Sequence, residues 1–263
     1  MIRRFLSKVA LPLLGAAAML LTIAPATMRA QPAAPAPEPP RPPRQAAPED
    51  VTGNWVSIVT EDWRWRMVTP AKGDYTSLPL TPAARKTADA WDPDKDIAAG
   101  NQCKAYGAAA VMRVPGRVHI TWVDDNTLKV ETDAGTQTRV FHFGGKPPAN
   151  EAASWQGYSS ATWDGLRPPP RRGATPLPPA GSLKVVTTHM KPGYLRKNGV
   201  PYSGDAVLTE YYDRTNEPNG DSWLVVTTIV DDPANLTTQF VTSTHFKMEK
   251  DGSKWSPTAC EAK

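Results

Sequence analysis

The sequence predicts a mainly β protein, an antiparallel meander barrel with one or two short helices inserted near residues 82–112. Three observations predict it. About ten short segments alternate apolar and polar residues with a period of two. β-Branched residues crowd them, as in the Val-Val-Thr-Thr runs at 185–188 and 225–228. Turn-forming residues separate neighbouring segments in chain order, as a closed meander requires. A two-sheet β-sandwich satisfies the same pattern and is the alternative.

The chain opens on an export signal. Arg3, Arg4 and Lys8 precede an apolar run from Val9 to Ile23, and Ala24-Pro25-Ala26 fits the small-x-small cleavage rule. This places a signal peptide at 1–26, with residue 30 as the alternative end. The apolar run is short for a bilayer span, which takes roughly 20 residues, so no membrane span is expected in the mature chain. Residues 1–30 hold four of the 30 basic residues and no acid. The remaining chain is neutral, with 26 residues of each sign. A phosphate-backbone surface, and with it a nucleic-acid partner, is not indicated.

Residues 27–50 are proline-rich and read as an extended, solvated spacer. A single domain is expected from 51 to 263. The first strand covers Thr52 to Thr60. Asp62 to Val68 alternates strictly, with Trp63, Trp65 and Met67 on one side and Arg64 and Arg66 on the other. Thr81 with Pro82 starts a helix that runs to Trp91. Lys95 to Met112 is alanine-rich and suits a second short helix. A meander follows at 117–123, 127–133 and 138–143, with turns at Asp124-Asp125-Asn126 and Ala134-Gly135. Later strands are expected at 157–163, 183–190, 206–214, 223–230 and 240–248. A second proline-rich tract, 167–181, reads as a long exposed loop.

Cys103 and Cys260 are the only cysteines. In an exported chain an even pair predicts a disulfide, here one fastening the C-terminal tail.

Trp155-Gln156-Gly157-Tyr158-Ser159, continuing through Trp163-Asp164-Gly165, resembles the W-x-G-x-S-x-x-x-W-[DE]-G segment of a family of uncharacterised exported proteins, common in acidobacteria and some proteobacteria. The likeness continues through Pro201-Tyr202-Ser203, the strand Leu208 to Tyr212 and the turn Asp231-Asp232-Pro233. It implies a periplasmic or secreted bacterial protein, and no activity. Gly53-Asn54-Trp55 is similar to the G-x-W opening of lipocalins, which implies a lipocalin- or calycin-like barrel.

No phosphate loop, nucleophile elbow, H-E-x-x-H or dinucleotide fingerprint is present, so neither a catalytic residue nor a cofactor is indicated. His119, His142, His189 and His245 fall in four different segments with no ligand spacing, and no metal is expected. The acids Glu61, Asp62, Asp124, Asp125, Asp231 and Asp232 sit mostly at strand ends, where turn chemistry explains them. Tryptophan carries more information. Trp63 and Trp65, with Glu61 on the same face and Trp122 nearby in the barrel, form the expected wall of a ligand pocket. Arg64 and Arg66 then face solvent or an anionic ligand. The expected function is periplasmic binding of a small apolar or aromatic molecule inside the barrel. The alternatives are an envelope-associated interaction protein and an enzyme using a lumen acid, base or metal. The oligomeric state is open.

Overall fold

A computed structural model describes residues 41–166, 175 and 180–262. The expected signal peptide and most of the 167–181 loop lie outside these residues. In chain order, a helical turn α1 (Pro43–Ala46) precedes β1 (Gly53–Ile58). Then come α2 (Trp63–Arg66), α3 (Pro82–Asp89), α4 (Pro93–Ala98), a 3-10 turn (Gln102–Tyr106) and α5 (Ala108–Val111). The strands follow: β2 (Arg117–Asp124), β3 (Thr127–Thr132), β4 (Gln137–Phe143), β5 (Tyr158–Asp164) and β6 (Ser182–Thr188). A small hairpin, β7 (Gly193–Arg196) and β8 (Val200–Tyr202), separates these from β9 (Val207–Asn216), β10 (Ser222–Asp231) and β11 (Phe240–Glu249).

Nine strands close a barrel in the order β1-β11-β10-β9-β6-β5-β4-β3-β2. The fold is therefore the expected β-barrel with short helices. It departs from an antiparallel meander at one seam, where β4 and β5 pair in parallel, Phe141 opposite Ser159. The chain leaves β4 at one end and must return along the barrel before β5 begins. Gly157 completes that return at φ +61°, and a Cβ there would collide with the Thr188 carbonyl.

Period-two burial appears as anticipated, with β3 reading Leu128, Val130 and Thr132 inward. Two apolar clusters fill the interior. Trp55, Phe141, Tyr212, Leu224 and Phe246 anchor one, and Leu208, Val230 and Phe240 belong to the other. Between them the inward positions turn polar: Glu210 lies between Leu208 and Tyr212 on β9, and Thr228 between Val226 and Val230 on β10.

Both barrel ends are covered. At the end where β2 passes into β3, Pro43 accepts from Trp163 Nε1 at 2.8 Å and Arg44 N donates to Asp125 O at 3.1 Å. Nearby, Glu49 Oε2 accepts from Arg214 N at 2.9 Å. Residues 43–50, read as solvated spacer, thus pack on the barrel. The proline-fixed turn finds partners that only the closed sheet presents. The opposite end carries a cap made of residues 59–116 and the β7–β8 hairpin. Its core includes Tyr75, Ala88, Met190 and Tyr202. Thr81 Oγ1 accepts from Ala84 N at 3.1 Å, so α3 begins where its cap predicts.

Asp62 to Val68 is the main correction. It is not a strand: Asp62 takes φ +51° and residues 63–66 form the helical turn α2. Trp63 is 63% exposed, while Arg66 is buried. Alternation predicts indoles in and guanidiniums out, because unpaired buried charge is costly. Arg66 is not unpaired. It forms an ion pair with Glu61, and its Nε donates to the Arg113 carbonyl at 2.8 Å.

Candidate functional site

The cap holds a cleft of about 330 Å³. It lies outside the barrel lumen, between α2, the 3-10 turn, the segment after α5, β7 and the C-terminal tail. Each wall has a local cause. The Asn198-Gly199 turn joins β7 to β8, with Gly199 at φ +82° packed under Trp91. Asn198 Nδ2 donates to the carbonyls of Ala71 and Asp74, both at 3.1 Å, so the hairpin is moored to the loop after α2. Arg196, on β7, donates from Nη1 to Thr76 O at 2.9 Å.

The tail supplies the opposite wall. Beyond β11 it runs back up the barrel, where Thr258 N donates to Asp133 O at 2.9 Å. Cys260 is bonded to Cys103 on the 3-10 turn, as expected, with the Cα atoms 5.1 Å apart. Glu261 N donates to Tyr106 Oη at 3.3 Å. The disulfide thus fastens Thr258, Ala259 and Glu261 against the cleft.

Three guanidinium groups line it. Arg113 Nη2 donates to Asp62 Oδ2 at 2.8 Å and Arg66 meets Glu61. Arg196 has no carboxylate in ion-pair range among the described residues. Its guanidinium lies 4.8 Å over the Trp65 ring, and Trp65 Nε1 donates to Asp74 Oδ2 at 3.0 Å. Burial lowers the Arg66 pKa. It also brings Arg196 down to about 10, with the neighbouring Arg113 charge as the next cause. Among the described residues, Arg66 Nη2, Arg113 Nη1, and Arg196 Nε and Nη2 are buried without a hydrogen-bond partner. Lys197 Nζ stands 5.0 Å over the Tyr106 ring.

The four residues expected to form a ligand wall do not come together. Trp65 lines the cleft. Glu61 stands behind it, bracing Arg66 and meeting His245 Nδ1 at 3.1 Å. Trp63 lies exposed outside the cleft, beside exposed Met67 and Val68. Trp122 is at the far end of the barrel, stacked on Phe143 with centroids 5.4 Å apart. Sequence reading missed Arg113, Arg196, Lys197, Tyr106 and the tail. The arginines come from three separate segments, and only the hairpin signal Asn198-Gly199 was available to place one of them.

The lumen is packed rather than open. Arg139 and Glu210, both fully buried, form a two-pronged ion pair at 2.5 and 2.9 Å. Arg139 also donates to Thr187 Oγ1 and Tyr212 Oη, both at 3.3 Å. The opposite charge of Glu210 and the hydrogen bonds Arg139 donates to it hold the Arg139 pKa up against burial, while burial first and Glu210 second raise that of Tyr212. The four histidines do not converge. His142 stacks on Tyr158 and His119 faces Glu131. His189 meets Thr188, and His245 meets Thr60 and Glu61. Among the described residues no group of three or more His, Cys, Asp or Glu could hold a metal ion. Asp124 bonds its own turn, Asn126 N donating at 2.7 Å. Asp232 binds Ser203 through both N and Oγ, at 2.8 and 2.7 Å, and so ties two of the motif segments together.

A broader depression, about 440 Å³, lies on the outer face of β4; its titratable side chains are His142, Glu151 and Tyr158. No helix among the described residues is long and apolar enough to cross a membrane. Set against known proteins, the chain matches no family model, no curated protein and no solved structure.

Proposed function

We propose that this is an exported binding module that holds a small molecule with an apolar or aromatic body. The binding place is the cap cleft, not the barrel lumen. The observation that carries the reading is the cleft itself: about 330 Å³, within the usual range for ligand sites, with Trp65, Met67, Tyr106 and Leu195 among its walls. The lumen offers no comparable room, because aromatic side chains and the Arg139–Glu210 pair occupy it. Export to the periplasm or exterior is supported by the Arg3–Ala26 signal pattern, by the disulfide and by the family resemblance. Intact mass of the mature protein tests it, since cleavage after Ala26 or Ala30 gives distinct masses.

Titration with the neutral fluorescent probe N-phenyl-1-naphthylamine tests the binding place. Ala259 is exposed on the tail wall, so Ala259→Trp fills the cleft without disturbing the core. The variant is expected to lose most probe binding at unchanged Tm. Unchanged probe affinity would refute the cleft as the site.

A second reading, an envelope-associated interaction protein, draws on one observation. Trp63, Met67 and Val68 are together exposed on and after α2. Flotation with phosphatidylethanolamine–phosphatidylglycerol vesicles would reveal it, with Trp63→Ser as the control that abolishes it.

A further inference from the structure

The apolar walls do not account for three buried guanidinium groups in one cleft. Arg66 and Arg113 each meet a carboxylate, yet each keeps one buried nitrogen without a partner. Arg196 is the sharper case. It is 4% exposed and, among the described residues, meets only the Thr76 carbonyl and the Trp65 ring and leaves Nε and Nη2 without a partner. Buried donors with no acceptor are rare in folded proteins and costly when charged. A ligand oxygen that enters the cleft would supply the acceptor that such a group lacks. Among the described residues the one acid in the lining, Glu261, is exposed, and the contact that seats it is made by its backbone N–H.

We propose that the cleft selects an organic oxyanion. Its carboxylate, phosphate or sulfate-type group accepts from Arg196 with Arg113 and Arg66, and its apolar or aromatic body lies along Trp65, Met67 and Val68. Planar guanidinium groups match the two oxygens of such a group, and charge assistance makes these the stronger class of hydrogen bond. Burial first and the neighbouring Arg113 charge second lower the Arg196 pKa, and a bound anion offsets both. Lys197 at the rim draws the anion in. The inference rests on the reading of the cleft as the ligand site, and the experiment separates the two.

Two probes with one aromatic body are titrated into the full mature chain: 8-anilinonaphthalene-1-sulfonate and neutral N-phenyl-1-naphthylamine. The sulfonate is expected to bind about tenfold tighter, as a charge-assisted contact allows. Arg196→Gln is expected to bring the ratio of the two affinities to about one, and Arg196→Lys to keep part of the preference. Decanoate and decyl phosphate should displace the sulfonate, decanol should not, and their ranking tells carboxylate from phosphate. Equal affinity for the two probes, or a preference that survives Arg196→Gln, overturns the oxyanion proposal; if Ala259→Trp still blocks both probes, the cleft reading stands. Binding of both probes that Ala259→Trp leaves untouched, or no binding at all, overturns both. Should Arg196→Gln fail to fold, the wild-type competition decides: displacement by decanol equal to that by decanoate overturns the proposal.

Discussion

Arg139 and Glu210 show what a single buried residue costs when its partner is removed. Each is fully buried, and the two form a two-pronged ion pair. Arg139→Met leaves the Glu210 carboxylate buried and uncompensated, so a loss of about 3–5 kcal/mol is expected in urea denaturation. The double variant Arg139→Met/Glu210→Leu should recover most of that, because two apolar groups refill the space without a stranded charge. If the double variant is no more stable than the single one, the ion pair is not the source of the loss. Trp63 makes the opposite case. An indole on an inward strand face would cost roughly 3–5 kcal/mol when cut to alanine. At 63% exposure on α2, Trp63→Ala is expected to change stability by no more than about 0.5 kcal/mol. A melt of that variant shows directly which environment the residue occupies.

Among the elements, α1 and the segment after it hold the most informative titratable group. Burial pushes the Glu49 carboxyl from 4.5 up to about 7, against the lowering hydrogen bond from Arg214 N. Its folded-state pKa thus lies above its unfolded one. Between pH 4.5 and 7 the folded chain holds a proton that the unfolded chain has released. Stability from this group therefore falls as pH rises through that window and levels off above it. Glu49→Gln keeps an acceptor for Arg214 N and removes the titration. The wild type is expected to lose more Tm than Glu49→Gln between pH 5 and pH 8. Parallel losses would mean that Glu49 is solvated and that the α1 segment does not seat on the barrel end. The partial burial of Glu49 makes the effect modest.

At the scale of the molecule, the Cys103–Cys260 bond joins the cap to the tail across a separation of 157 residues. Chain-entropy reasoning assigns such a closure ~5 kcal/mol as an upper figure. For a chain of this size that corresponds to roughly 10–20 °C in Tm. Cys103→Ser/Cys260→Ser is therefore expected to melt markedly lower than the wild type under non-reducing conditions. Because the tail forms a wall of the cleft, the variant should also bind probe more weakly at temperatures where the barrel remains folded. Loss of Tm with unchanged probe affinity would show that the hydrogen bonds of Thr258 alone hold the wall in place.

The family-like motif became intelligible only in three dimensions: its 157–164 part builds the barrel, and Tyr202 belongs to the cap. Gly157 allows the chain to re-enter beside Thr188. Ser159 shares a hydrogen bond with Thr187 at 2.8 Å, and Trp163 receives the N-terminal segment through Pro43. None of them reaches the cleft.

Local rules alone determined the strands β1 to β6 and β9 to β11, the α3 cap and the pairing of the two cysteines. Alternation, capping chemistry and an even thiol count act within a few residues or within a single pair, so a linear reading reaches them. Tertiary structure decided the rest. The parallel β4–β5 seam depends on where the chain can return. The fate of Asp62 to Val68 depends on Glu61 and Arg113 lying close enough to make a buried guanidinium tolerable. The cleft gathers Arg66, Arg113 and Arg196 from segments that share no spacing. A period of two or of 3.6 reports which side of one element is apolar, whereas a binding site forms where different elements meet.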